Sequence, residues 1–250
     1  MIKKKIIYFS ILLFVVNLVI YINLANAFIY FRIGEGGLTN PLLVSTSNMI
    51  EGTGAKIKYV ALGDSLTAGV GADTFKEIYP YLIAKKINET DGSNVTLENF
   101  SAPGAKTQDL INVLLEPAVK SKPDIITLLI GVNDIHNHIG LEQFKKNYQV
   151  ILDRLTKETS AKIYLINIPR IGSNTIILPP LNFYFDVETD RYNEVIKELA
   201  KTYNLTYIDL NSPTKDLLKK DGAHYSVDSF HPSAVGYKLW AQIIYDRFNR

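Results

Sequence analysis

From Ile57 onward the chain alternates short, continuously apolar runs with longer amphipathic stretches, and this rhythm constrains the fold more than any other feature. Continuous apolar runs suit strands covered on both faces, which is the situation of a parallel sheet between layers of helices. The runs predict strands at 57–63, 94–100, 124–130, 162–168 and 205–209. The stretches between and after them predict helices at 75–90, 106–120, 141–158, 188–203 and 232–248, with a short one near 213–220. The expected architecture is therefore α/β with a five-stranded parallel sheet. With 250 residues, 47% of them hydrophobic, the chain has enough apolar side chain for one good core and reads as a single folded body over 57–250.

Chemistry-bearing residues gather where these apolar runs stop. The run ending at Leu62 is followed at once by Gly63-Asp64-Ser65-Leu66. A serine at the end of a buried strand is held by the sheet yet open to a ligand, which makes Ser65 a candidate nucleophile. A hydroxyl needs a base to take its proton, and the base needs a partner that fixes its tautomer. Asp228-Ser229-Phe230-His231 supplies both, with the acid three residues before the imidazole and Pro232 suited to open a helix. His224 is the rival base, without an acid three before it. Attack on a carbonyl creates an oxyanion, and three donors are available for it: the Ser65 backbone N–H, the Gly104 N–H after the second run, and the Asn133 amide after the third. Asp64, adjacent to Ser65, is expected to shape the turn, and Asp134 to brace the Asn133 loop.

Gly63-Asp64-Ser65-Leu66, the Gly104 block, Gly131-Val132-Asn133-Asp134 and Asp228-Ser229-Phe230-His231 together resemble the four ordered blocks of the SGNH, or GDSL-type, hydrolase superfamily. The resemblance covers roughly Ile57 to the C-terminus. It implies a flavodoxin-like three-layer α/β/α sandwich, Ser65 as nucleophile, His231 as base, Asp228 as its orienter, and Ser65, Gly104 and Asn133 as the oxyanion hole. It implies ester hydrolysis without a cofactor, on an acyl or lysophospholipid-type ester or on acetylated glycan. A glycan- or lipid-binding module on the same fold is the reading from another class. The Gly-x-Ser-x-Gly elbow of α/β-hydrolases is absent, because Thr67 stands where its second glycine would be.

The N-terminus reads differently. Lys3, Lys4 and Lys5 precede an apolar run from Ile6 to Leu24, which ends in Ala25-Asn26-Ala27. This describes either a signal peptide cleaved after Ala27 or an N-terminal membrane anchor over 6–24, with the body outside the cytoplasm in both cases. Those three lysines account for the excess of basic over acidic residues, 27 against 25, and no basic block is interleaved with aromatics, so the composition does not suggest nucleic-acid binding. Cysteine is absent. Residues 28–56, rich in glycine and without sustained period, read as a linker or arm. Asp134, His136 and His138 stand at alternate positions but lack a fourth ligand nearby, so no metal is expected. The 169–188 stretch reads as a long loop whose Ile176, Ile177, Leu178, Leu181, Phe183, Tyr184 and Phe185 either wall an acyl site or pack on the core. Tyr237 and Trp240 read as core.

Overall fold

The apolar runs become a sheet buried on both faces. The structure is a computed structural model that describes residues 2–36, 44–170, 172–173, 175–220 and 222–248. The chain opens with helix α1 (Ile2–Gly36) and contributes strands β1 (Val44–Ile50), β2 (Lys56–Gly63), β3 (Asn94–Ser101), β4 (Ile125–Leu129), β5 (Lys162–Ile166) and β6 (Thr206–Ile208). They lie in the order β1-β3-β2-β4-β5-β6. Strands β2 to β6 are mutually parallel. Tyr59 to Leu62 of β2, and Ile126, Leu128 and Leu129 of β4, are fully buried. Burying a Leu or Ile side chain contributes roughly 1.5–3 kcal/mol, so these central strands are the main source of sheet stability.

All five expected strands are present, and the sheet carries a sixth. Strand β1 pairs antiparallel with β3, from Val44 opposite Ser101 to Ile50 opposite Val95. It lies within the stretch read as a linker. Ser45, Thr46, Ser47 and Asn48 give it no apolar run, and none is needed, since an edge strand is held by main-chain hydrogen bonds and leaves Met49 65% exposed.

The parallel strands have the doubly wound order 2-1-3-4-5. Sequence neighbours go to opposite sides of the first parallel strand, and the crevice for a ligand opens at the carboxyl ends of that strand and the next one across the reversal. Here these are β2 and β4.

Helices cover the sheet. One turn, α2 (Ser65–Ala68), follows β2, and α3 (Tyr79–Asp91) begins at Tyr79 because Pro80 fits only a helix's first turn. Next come α4 (Thr107–Asp109), a π-turn at Leu110–Leu114 and α5 (Leu115–Lys120). Then follow α6 (Val132–His136), α7 (Leu141–Glu158), α8 (Leu181–Thr202), α9 (Asn211–Lys220) and α10 (Ala234–Tyr245). Helices α3 and α10 pack together, as do α5, α7 and α8, giving the two helical layers of an α/β/α sandwich. The inward stripe of α7 is Phe144, Tyr148, Ile151, Leu152 and Leu155, at helical spacing. Tyr237 and Trp240 on α10 are core.

Helix α8 starts seven residues before its expected position, which shortens the long loop. Leu181 and Phe185, four apart, share the buried side of its first turns, while Phe183 and Tyr184 stay exposed. Ile176 and Ile177 are 2% exposed and pack into the core, so that part of the loop does not line an open wall.

Candidate active site

At the end of β2 the backbone has no room for a side chain. A Cβ on Gly63 would lie 2.2 Å from Thr67 Oγ1 and 2.3 Å from the Leu129 carbonyl oxygen. Asp64 then caps the next turn, its Oδ1 accepting the Leu66 N–H at 3.0 Å. Ser65 is thus the first residue of α2, and only 7% exposed. The turn is tied behind by Thr67, whose hydroxyl lies 2.9 Å from Tyr79 Oη and whose carbonyl accepts from Asn99 Nδ2 at 2.9 Å.

The second half of the site is a tight loop before α10. Asp228 Oδ1 accepts three hydrogen bonds, from the Ser226 hydroxyl at 2.7 Å, the Phe230 N–H at 2.8 Å and the His231 N–H at 2.9 Å. Its Oδ2 is left for His231 Nδ1 at 2.6 Å. The other ring nitrogen, Nε2, stands 3.0 Å from Ser65 Oγ across 166 positions of sequence. Two contacts bring the halves together. Tyr237 donates its hydroxyl to the Val70 carbonyl at 2.8 Å, and the loop carrying Gly71 approaches so closely that a Cβ there would meet the Pro232 oxygen at 2.5 Å. Pro232 lies just outside the helix, which Ser233 caps.

Electrostatics assign the protons. Burial opposes charge on Asp228, but the hydrogen bond and charge of His231, the Ser226 hydroxyl and the Phe230 N–H outweigh it and lower its pKa to about 2. At neutral pH the carboxylate only accepts, so a neutral His231 carries its proton on Nδ1 and offers the Nε2 lone pair to the Ser65 hydroxyl. Asp64 behaves oppositely. Burial pushes its carboxyl up to about 7, and the charge of Asp134 adds to the rise, against the Leu66 N–H.

The loops on either side carry the other expected residues. Gly63 is opposite Ser101 on one side and Leu129 on the other, so the Gly104 and Asn133 loops flank Ser65. Gly104 has φ +82°, and nothing lies within 4 Å of where its Cβ would stand. Asn133, in α6, donates one amide N–H to the Ala105 carbonyl at 3.0 Å, which ties the two flanking loops together and leaves its second N–H for another acceptor. Asp134 is buried and accepts from the Thr107 N–H at 3.0 Å and hydroxyl at 2.5 Å.

His224 has no hydrogen bond to Ser65; its carbonyl accepts from Ser233 N–H instead. Asp134, His136 and His138 each have separate company: Thr107 for the first, the ring of Phe185 at 4.7 Å for the second and Tyr184 Oη at 2.9 Å for the third. Among the described residues no cluster of three His, Cys, Asp or Glu is placed to hold a metal ion. Sequence reasoning missed Ser226, Thr107 and Asn99. Ser226 was in reach as a hydroxyl two residues before the acid; the other two act across the fold and leave no local signal.

The chain is similar to known proteins in sequence and fold. The chain is 27% identical over 205 residues to spore germination lipase LipC of Bacillus licheniformis, covering 74% of this chain and 93% of that one. It is 25% identical over 201 residues to the acetylxylan esterase of Geobacillus stearothermophilus, covering 77% and 83% respectively. The crystal structure of the lipase/acylhydrolase from Enterococcus faecalis superposes with a TM-score of 0.63 at 25% identity, over 76% of this chain and 94% of that one. Residues 61–239, from within β2 to α10, match the model of the GDSL-like lipase/acylhydrolase family, and the chain belongs to that family of carboxylic ester hydrolases.

Proposed function

We propose that the chain is an extracytoplasmic serine esterase that works through an acyl-enzyme. The supporting observation is the hydrogen-bonded chain Asp228–His231–Ser65, with links of 2.6 and 3.0 Å. Ser65 Oγ attacks the ester carbonyl while its proton passes to His231 Nε2. Asp228 stabilises the resulting imidazolium through Nδ1–H. The oxyanion accepts from the Ser65 and Gly104 backbone N–H groups and from the free N–H of Asn133. Collapse expels the alcohol, which takes the proton back from Nε2. Water then attacks the acyl-enzyme, loses a proton to the same nitrogen, and releases the acid and the Ser65 hydroxyl.

The apolar residues at the start of α8 favour an acyl or lysophospholipid-type ester. The likeness to an acetylxylan esterase supports a second reading, O-acetyl groups on cell-envelope polysaccharide. The helix over Lys3–Ile29, which contains an 18-residue window of mean hydropathy 2.3, supports export or anchoring. Ser65→Ala tests the mechanism. p-Nitrophenyl ester turnover is expected to fall by orders of magnitude, on the order of 10⁴ or more, with the fold intact. Near-normal turnover, or failure of a fluorophosphonate to label Ser65 in the wild type, refutes it.

A further inference from the structure

Helix α1 changes character along its length. From Lys3 to Ile20 its side chains are exposed on every face, although most are apolar, as suits a helix inside a bilayer. Between Tyr21 and Ile29 it turns one face to the body. Ala25 is 9% and Ile29 1% exposed, both within the hydrophobic core cluster, and Tyr21 donates its hydroxyl to the Pro179 carbonyl at 2.7 Å.

Between these turns and the start of α8 lies a cavity of about 340 Å³. Ile22 and Asn26 of α1 form one wall, Leu181 and Phe185 of α8 another, and His136 and His138 the floor. Among the described residues no Asp, Glu, Lys or Arg lines it. Burial pulls the His136 imidazole down to about 4, so it is neutral at physiological pH, and its Nε2 is buried with no hydrogen-bond partner among the described residues. Two ring contacts link the His136 side of the cavity to the reaction centre. The His136 ring lies 5.5 Å from Phe230, whose ring lies 5.0 Å from that of His231. At roughly 30 Å³ per methylene-sized group, the volume admits on the order of ten of them.

We propose that this cavity holds the hydrocarbon chain of a membrane-derived acyl ester, and that the turns of α1 carrying Ile22 and Asn26 are its outer wall. The helix is then retained in the working enzyme and serves both as anchor and as part of the substrate site. This rests on the serine-esterase reading and adds the substrate class to it. A cavity lined, among the described residues, by no Asp, Glu, Lys or Arg offers a charged headgroup no counter-ion from those residues and accepts a chain drawn laterally from the bilayer.

The test uses the full chain in nanodiscs. Intact mass of the protein taken from membranes should include residues 1–27; a mass beginning at Phe28 overturns the proposal. Ile22→Trp fills the cavity, and the ratio of kcat/KM for p-nitrophenyl decanoate over acetate should fall at least tenfold. Leu13→Trp, on the exposed part of the same helix, should leave that ratio within twofold. An unchanged ratio in a folded Ile22→Trp protein overturns the proposal. Because the chain has no cysteine, Ile22→Cys gives a second readout independent of that variant. Labelling Ser65 with a decyl fluorophosphonate should slow maleimide reaction at position 22 at least fivefold, and an ethyl fluorophosphonate should not. Equal rates with both probes, on a labelled Ser65, overturn the cavity assignment alone. Absence of Ser65 labelling by either probe overturns the esterase reading, and the cavity assignment with it.

Discussion

Asp228→Asn exchanges one oxygen for an NH₂ group and reverses the polarity of one link in the chain to Ser65. The asparagine carbonyl can still accept from Ser226, Phe230 N–H and His231 N–H, as Oδ1 does now. That leaves its amide nitrogen, a donor, facing His231 Nδ1. The imidazole must then accept at Nδ1, which places its proton on Nε2 and removes the lone pair that faces the Ser65 hydroxyl at 3.0 Å. In a serine protease the equivalent change costs about 10⁴ in kcat, and a loss of similar order is expected here with p-nitrophenyl butyrate. Stability gives an independent reading. The fall of the Asp228 pKa from 3.8 to about 2 corresponds to about 2 kcal/mol at neutral pH. A depressed carboxylate stabilises above its unfolded pKa, and the contribution is lost as pH drops through the folded value. The deficit of the variant in urea unfolding should therefore be about 2 kcal/mol at pH 7 and about half that at pH 3. A kcat within tenfold of wild type refutes the tautomer argument. A deficit that does not change between pH 7 and pH 3 refutes the electrostatic one.

Three further outcomes are expected. Asn133→Ala should lower kcat by about 10² to 10³ with little change in KM, since an oxyanion donor acts in the transition state; steady-state kinetics on one ester checks it. Gly63→Ala forces a methyl within 2.3 Å of the Leu129 carbonyl oxygen, a backbone atom that cannot swing away, and should cost more than the roughly 1–3 kcal/mol of ordinary overpacking, read from the urea midpoint. Asp64, with its pKa raised to about 7, binds a proton in the folded chain that the unfolded chain has already released. Wild-type stability should therefore decline as pH rises from about 4 to 7, by up to roughly 4 kcal/mol from this group, and Asp64→Asn should flatten that decline in urea titrations at pH 5 and 7.

Much of the fold and site was legible because the forces that set it act over a few residues. A short apolar run such as Ile125 to Ile130, rich in isoleucine, carries its own signal of a buried strand, and an acid three before a histidine can close a turn on that histidine's Nδ1. Turn chemistry likewise marked Gly63, Asp64 and Gly104. Strand β1 was illegible because its main-chain bonds to β3 leave no pattern in its side chains. The early start of α8 was hidden by Pro179 and Pro180, which read as loop although Pro180 stands at the helix N-cap.

What the sequence alone determined is therefore the class of fold, the positions of the five parallel strands to within about two residues, and the candidate residues for the chemistry. Only the tertiary structure decided which of them meet. The choice of His231 over His224 against Ser65, the linking of the Gly104 and Asn133 loops through Ala105, and the docking of α1 through Ala25 and Ile29 all depend on the strand order around β2 and on packing between distant segments. The physical reason is range. Hydrophobic period and hydrogen-bonded turns are satisfied locally, whereas contact across 166 residues exists only once the sheet has ordered its strands and excluded water between its layers.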